Sequence, residues 1–399
     1  MINKQKHINK MKKSLIIIVI ATMSVLVTSC STVKFYFRHS NLARKERVSS
    51  VSGKGHGPFD FELKNNRMLA VIDMDGRSDT VFIDSGFNGA IAECHPKSEL
   101  TPEYSRIKVT GALKRSKVYM KIDTVNAKFL WHHHDIRYDI CLNFDSPCDI
   151  PIAGRPLMGT KMLFAFDFEH NKVAIDFSNQ KISYYRYNDS TFCLDGYKSM
   201  RCKIRRRCIY VYPVINGKEC KCIFDTGNSS ACFILNEKDN GFEKREDDIV
   251  YEGTIGSTVN GVINSGEYYV RREETIKLGE NEFVAPVLYT SEHKYNNVGL
   301  RFISQFDWFY DDSNPGVIYY KPREVQHFDF QETGPYRLQA SEDGLMIITR
   351  VVDERNTFEF GDIIKSVNGE EITGDNICHY AELLNNSKDW SGFKIVVSK

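Results

Sequence analysis

Short apolar runs separated by glycine-containing turns follow one another along most of this chain, and they predict strands. Met68-Leu69-Ala70-Val71-Ile72 leads to Asp75-Gly76 and then to Val81-Phe82-Ile83; Ile209-Tyr210-Val211-Tyr212 leads to Asn216-Gly217 and then to Cys222-Ile223-Phe224. Asp-Gly and Asn-Gly between β-rich runs are the strongest short-range hairpin signals. Each second strand ends in the same kind of tripeptide, Asp84-Ser85-Gly86 and Asp225-Thr226-Gly227. The turn glycine precedes the aspartate by the same count, 84 − 76 = 8 and 225 − 217 = 8. Further on, Met158-Gly159 lies 159 − 84 = 75 residues past the first aspartate, and Val298-Gly299 lies 299 − 225 = 74 past the second. Aromatic-rich strands follow at Val173-Ala174-Ile175-Asp176-Phe177 and Val317-Ile318-Tyr319-Tyr320. The chain reads as one β-unit written twice.

From about Gln331 the pattern changes. A β-rich run, Gly344 to Val352, precedes Phe360-Gly361-Asp362-Ile363-Ile364-Lys365-Ser366-Val367-Asn368-Gly369; a helix-like stretch over Asn376 to Leu384 and a last strand over Lys394 to Val397 complete a small α+β unit. The N-terminus differs again. Lysines at positions 4, 6, 10, 12 and 13 precede an apolar run from Leu15 to Val27, which is short for a membrane span at about 1.5 Å per residue. That combination predicts a cleaved targeting segment. Val27-Thr28-Ser29-Cys30 resembles the lipobox of bacterial lipoproteins, in which the cysteine becomes the lipidated N-terminus. The resemblance implies a lipid anchor at Cys30 in a bacterial cell envelope. Ser31, with no acidic run after it, points to the outer membrane and the periplasmic side, and residues 31–57 form a polar tether.

Composition narrows the picture in three ways. A hydrophobic content of 42% is ample for packed cores, and a formal net charge of +1 argues against a nucleic-acid partner. Arg205-Arg206-Arg207 reads as a solvated strand or turn. Setting Cys30 aside leaves ten of the eleven cysteines in an oxidising compartment, where bridges are permitted but their connectivity is not readable from sequence. Cys220 and Cys222 share one face of a strand and either pair elsewhere or simply pack. No CxxC motif occurs, and in a strand only His132 and His134 of the run His132-His133-His134 share a face, so neither points to a metal.

The doubled tripeptide carries the chemistry. A lone carboxylate at the end of a buried strand is costly and would protonate. Two of them facing each other across an approximate twofold axis share one proton, so the pair holds an acid and a base together. Asp84 and Asp225 are the two candidates. The hydroxyls of Ser85 and Thr226 suit hydrogen bonds across the axis, Gly86 and Gly227 keep Cβ atoms out of the meeting point, and Gly159 and Gly299 let a neighbouring strand pass close behind each loop.

With these motifs in this order, the region 58–325 resembles the aspartic peptidases of the retropepsin and pepsin type, whose lobes carry apolar-apolar-Asp-[Thr/Ser]-Gly, a flap hairpin, and apolar-apolar-Gly. The resemblance implies a mainly β, bilobal pair of β-barrels in one chain, with lobe 1 over residues 58–190 and lobe 2 over 191–330, and no homodimer is required for the site. It implies hydrolysis of peptide bonds in extended polypeptide segments by an activated water, with no metal, no cofactor and no covalent intermediate. Flap candidates are the hairpins containing Gly111 in lobe 1 and Gly256 in lobe 2. The sequence departs from the retropepsin pattern after each triad, with Phe87-Asn88-Gly89 and Asn228-Ser229-Ser230 where an alanine is usual.

The Gly-Asp-Ile-Ile-x-x-Val-Asn-Gly run resembles a PDZ domain, here residues 331–399. This implies capture of an extended peptide, often a free C-terminus, as an added strand, with Leu345, Met346, Ile347 and Ile348 as the receiving edge and the helix as the other wall. The expectation is a periplasmic, membrane-tethered aspartic endopeptidase with PDZ-assisted substrate recruitment. The alternative is a lipoprotein scaffold that binds extended peptides without cutting them.

Overall fold

The computed structural model describes residues 56–64, 66–74, 77–86, 90–93, 104–110, 115–127, 132–139, 162–164, 172–185, 191–205, 208–258, 261–328, 334–341 and 343–398. Over these residues the protein is mainly β, with helices at Glu237–Asn240, Leu300–Ile303 and Ile377–Asn386. Cys30, Gly111 and Gly159 lie outside the described residues.

The repeat in the sequence is a repeat in the pairing. In the first unit Arg67–Met74 runs antiparallel to Arg77–Ile83, which has Met162–Phe164 parallel on its other side. Ala90–Glu93 lies antiparallel to Met162–Phe164 and parallel to His132–Asp139. Arg115–Ala127 then pairs with His132–Asp139, closes back on the first strand at Met74 and Ala127, and carries the hairpin partner Tyr104–Thr110. The second unit follows the same circuit. Cys208–Val211 pairs with Cys222–Asp225, which has Asn296–Gly299 parallel beside it. Phe233–Asn236 lies antiparallel to Asn296–Gly299 and parallel to Asn281–Thr290. Gly261–Leu278 pairs with Asn281–Thr290, closes on Val214–Ile215 and carries Ile249–Thr258. The Asn216-Gly217 turn has φ of 47° and 77°, so both residues are left-handed as a two-residue hairpin of this type requires.

The two units meet in a shared antiparallel sheet of order His56–Asp60, Lys181–Tyr185, Lys172–Asp176, Phe306–Asp311, Val317–Pro322, Lys198–Arg205. Its centre is the pairing of Lys172–Asp176 with Phe306–Asp311, where Ala174 stands opposite Phe309. Each half contributes three strands in mirrored order, which is the geometry of an approximate twofold axis.

One hydrophobic cluster runs through both units and anchors the strands that carry the aspartates. Val81 and Ile83 are buried in the first strand, and Cys222 and Phe224 in the second. Because side chains alternate along a strand, these inward residues, one and three positions before each aspartate, leave the aspartates on the other face. Burying each large apolar side chain is worth about 1.5–3 kcal/mol; Phe224 packs edge-on against Trp308 with ring centroids 4.9 Å apart. Cys220 and Cys222 are free thiols in this cluster, so of the two options open for them they take packing. Burial pushes the Cys220 thiol up to about 11 and raises that of Cys222 as well.

The C-terminal unit has its own core of Tyr336, Leu338, Leu345, Ile347, Ile364, Val367, Tyr380, Leu384 and Trp390, among others. Asn368-Gly369, with φ of 53° and 85°, makes the expected tight hairpin between Ile363–Val367 and Glu370–Glu371. The receiving edge expected at Leu345, Met346, Ile347 and Ile348 is not an edge. Leu345 and Met346 pair with Ala340 and Gln339 on one side and with Ile364 and Ile363 on the other. Ile347 donates to the Asp362 carbonyl and accepts from the Gly361 N–H. The strand Gly344–Val351 is therefore central, with its backbone groups already used. Its far end pairs with the second unit, Tyr251 with Val351, Glu252 with Arg350 and Gly253 with Thr349. An ion pair between Arg350 Nε and Glu252 Oε2 at 2.7 Å and a hydrogen bond from Thr349 Oγ1 to the Thr254 carbonyl at 2.8 Å reinforce this junction. The strand against which the helix packs is Tyr336–Ser341. There the Asn385 amide takes both backbone groups of Leu338, accepting from its N–H at 2.8 Å and donating to its carbonyl at 3.2 Å.

Candidate active site

Each aspartate sits where its strand stops, and the residues after it turn towards the other unit. The Ser85 N–H donates to Thr226 Oγ1 and the Thr226 N–H donates to Ser85 Oγ, both at 2.9 Å. Each hydroxyl in turn donates into the opposite strand, Ser85 to the Phe224 carbonyl at 2.7 Å and Thr226 to the Ile83 carbonyl at 2.9 Å. Both side chains are almost wholly buried. This is the cross-axis hydrogen bonding expected of them. Four such bonds join segments about 141 residues apart and use both N–H groups and both hydroxyls of the grip.

The grip brings the carboxyls together. A Cβ on Gly86 would fall on the Asp225 carboxyl, and a Cβ on Gly227 would fall on that of Asp84, so any larger residue at either position has to push the opposite carboxyl aside. Each carboxylate is oriented by its own loop: Asp84 Oδ1 accepts from the Gly86 N–H at 2.8 Å, and Asp225 Oδ1 accepts from the N–H groups of Gly227 and Asn228 at 3.0 and 3.2 Å. The two carboxyls meet between the loops, each against the glycine of the other unit. Burial above all, then the charge of Asp84, hold the Asp225 carboxyl well above the ordinary carboxylate range; the N–H groups of Gly227 and Asn228 oppose the shift. Such a pair gives up its protons in two separated steps, and between them it carries one proton and one negative charge.

The remaining candidates divide. Gly299 is the register partner of Asp225, and a Cβ there would strike the Ala231 carbonyl, so the close passage expected behind this loop is present. Gly159 lies outside the described residues; what lies beside the Asp84 strand among the described residues is Met162–Phe164, with Ile83 opposite Phe164. Gly256 lies in Ile249–Thr258, paired with Ile263, and a Cβ there would meet open space. The hairpins expected around both flap glycines form, Tyr104–Thr110 with Arg115–Ala127 and Ile249–Thr258 with Gly261–Leu278.

One residue at the site escaped the sequence reading. Asn297 is 5% exposed, and its Nδ2 donates to Asp225 Oδ2 at 2.6 Å. The signal was there in the break of the apolar-apolar-Gly pattern, which reads Leu157-Met158-Gly159 in the first copy and Asn297-Val298-Gly299 in the second. A polar residue inside a buried strand needs a partner, and Asp225 is the one it has. Cys208 also reaches the site, its thiol donating to the Gly86 carbonyl at 3.6 Å.

No protein-family model matches the chain, and no curated protein matches it.

Proposed function

We propose that this chain is an aspartic endopeptidase, hydrolysing peptide bonds in extended polypeptide segments with water activated between Asp84 and Asp225. The observation that carries this reading is the meeting of the Asp84 and Asp225 carboxyls, each against the other loop's glycine, between loops held by reciprocal Ser85–Thr226 bonds. A pair poised with one proton has both tools that amide hydrolysis needs. The ionised carboxylate takes a proton from water as its oxygen attacks the carbonyl carbon, while the protonated carboxyl gives its proton to the carbonyl oxygen. The tetrahedral adduct then collapses: the C–N bond breaks as the newly protonated carboxyl gives its proton to the leaving amine and the other carboxylate takes one from an adduct hydroxyl, which forms the product acid and returns the pair to one proton. No covalent link to the protein forms. The two hairpins supply a lid of the kind that admits an extended chain and then excludes water.

The same reading takes the doubled pairing circuit as two lobes of one bilobal molecule, and the C-terminal unit as PDZ-like. It places the protein in a bacterial cell envelope, anchored through a lipidated Cys30 at the outer membrane and facing the periplasm. The C-terminal unit serves here as a brace on the second hairpin, because its central strand is paired on both sides and Asn385 already occupies Leu338.

Incubation with a mixed peptide library from acid to neutral pH is expected to yield discrete cleavage products. Asp84→Asn and Asp225→Asn should each abolish them, since either change removes the shared-proton state. Cleavage that survives both substitutions would remove the pair from the mechanism; stable peptide binding without turnover at any pH would make the protein a binder instead.

A further inference from the structure

We propose that the C-terminal unit clamps the second hairpin, holding the strand Ile249–Thr258 as far as Ile255 and confining the opening of this lid to the tip beyond, with Gly256 as the hinge. The proposal rests on the peptidase reading and names what governs access to that site.

The root of the hairpin is held on both sides. Ile249–Thr258 lies between Gly261–Leu278 and Gly344–Val351, with Tyr251, Glu252 and Gly253 paired to both neighbours. The Val352 N–H extends the contact to the Val250 carbonyl, and the Thr349 hydroxyl closes it on the Thr254 carbonyl at 2.8 Å. Side chains lock the same stretch. Arg350 Nε reaches Glu252 at 2.7 Å and its Nη2 reaches Glu359 at 3.0 Å, so one guanidinium ties the two units together. Gly253 has φ of 116°, and a Cβ there would strike the Ile348 carbonyl and the Phe360 ring. Only a glycine lets the two backbones come this close.

The root ends where the pairing slips. The register between the two hairpin strands shifts between Glu252 and Gly253, which leaves Gly266 without a partner, and again between Thr254 and Gly256, which leaves out Ile255. Bulges of this kind bend a strand and sharpen its twist. Ile255 is 2% exposed and packs with Ile234, Tyr251, Tyr268, Val270 and Leu288, so the bulge turns it into the core beneath the hairpin. Gly256 follows, where even a Cβ would meet open space. Among the described residues, then, hydrogen bonds to the C-terminal unit stop at Thr254 and the buried anchor stops at Ile255. The hairpin divides there into a held root and a tip that can lift. An extended peptide entering under the tip meets a root already in place, which lowers the ordering its binding requires.

Amide hydrogen exchange on the full chain, read by mass spectrometry, separates root from tip without any turnover. In the unaltered protein the amides of residues 256–265 are expected to exchange about tenfold or more faster than those of 249–255. Gly253→Ala should undock the hairpin from the C-terminal unit and speed exchange over 249–255 by about tenfold or more, leaving Cys222–Asp225 unmoved. Thr349→Val keeps the shape of the side chain and lacks the bond to Thr254. It should act in the same direction by about threefold, and it serves where alanine at Gly253 prevents folding. Unmoved root exchange in a folded variant, or a tip as slow as the root in the unaltered protein, overturns the clamp. In parallel, KM for an extended peptide should rise in Thr349→Val with kcat little changed, a split that a general loss of stability would not produce; a fall in kcat at unchanged KM also overturns it. If no peptide is cut at any pH, exchange still decides the clamp and only the peptidase reading falls. If peptides are cut and exchange is unmoved, only the clamp falls.

Discussion

The first and second units share a pairing circuit and an aspartate loop, yet they are supported differently. The Asp84 strand has Met162–Phe164 beside it, whereas the Asp225 strand has Asn296–Gly299, with an amide on the carboxylate and a glycine behind the loop. The hairpin strand Ile249–Thr258 is further joined to Gly344–Val351 of the C-terminal unit. Symmetry is kept where two segments must interlock, at Ser85, Gly86, Thr226 and Gly227, and relaxed one layer out. The difference teaches that a doubled fold can hold its centre equal while specialising each half through its neighbours.

The largest effect expected from breaking this comparison lies beneath the second hairpin. Arg271 is buried there, donating Nε and Nη2 to Asp248 at 2.9 and 3.0 Å and Nη1 to Glu274, which also accepts from the Tyr289 hydroxyl at 2.7 Å. Asp248 immediately precedes Ile249–Thr258, so the cluster fixes the root of that hairpin. Arg271→Met strands two buried carboxylates and should cost about 3–5 kcal/mol in denaturant unfolding. A loss under about 1 kcal/mol would mean the cluster is not what seats the second hairpin.

Next come the interlocking glycines. Gly86→Ala displaces the Asp225 carboxyl and Gly227→Ala displaces that of Asp84. Each should reduce kcat/KM by about 100-fold or more, because sub-ångström placement of the reacting groups is lost. Equal losses sharpen the symmetry of the centre, while a tolerated alanine at one position would show that the two loops are not equivalent.

The smallest effect is in the pH dependence of stability. The raised pKa of Asp225 means that the folded pair binds more protons than the unfolded chain between the ordinary aspartate value and the raised one. Stability therefore falls as pH rises through that window. Asp84→Asn removes the repulsion, so its thermal midpoint should exceed that of the unaltered protein by a few degrees at pH 7 and coincide with it at about pH 3, below both values. Coincident midpoints at both pH values would mean that the carboxyls do not strain the fold.

Much of this architecture was legible in the chain because local physics writes it locally. The Asn216-Gly217 and Asn368-Gly369 turns follow from the left-handed conformations those residues tolerate, and the strands follow from two-residue alternation around them. The pairing of Asp84 with Asp225 was legible for a different reason: the motif occurs twice with matched spacing, and two copies of one unit meet naturally about an axis. The free edge expected at Leu345 to Ile348 failed because an apolar run of this kind marks a strand without saying how many neighbours it has.

By itself, then, the sequence determined the strands, their turns and the two acidic loops, all of which depend on residues a few positions apart. Only the tertiary structure decided that Asn297 reaches Asp225 across 72 residues, that Arg350 meets Glu252 across 98, and that Asn385 closes Leu338 across 47. Those contacts depend on how strands twist and which registers they adopt when the whole sheet closes, and no short-range pattern of hydrophobic and polar residues encodes that sum.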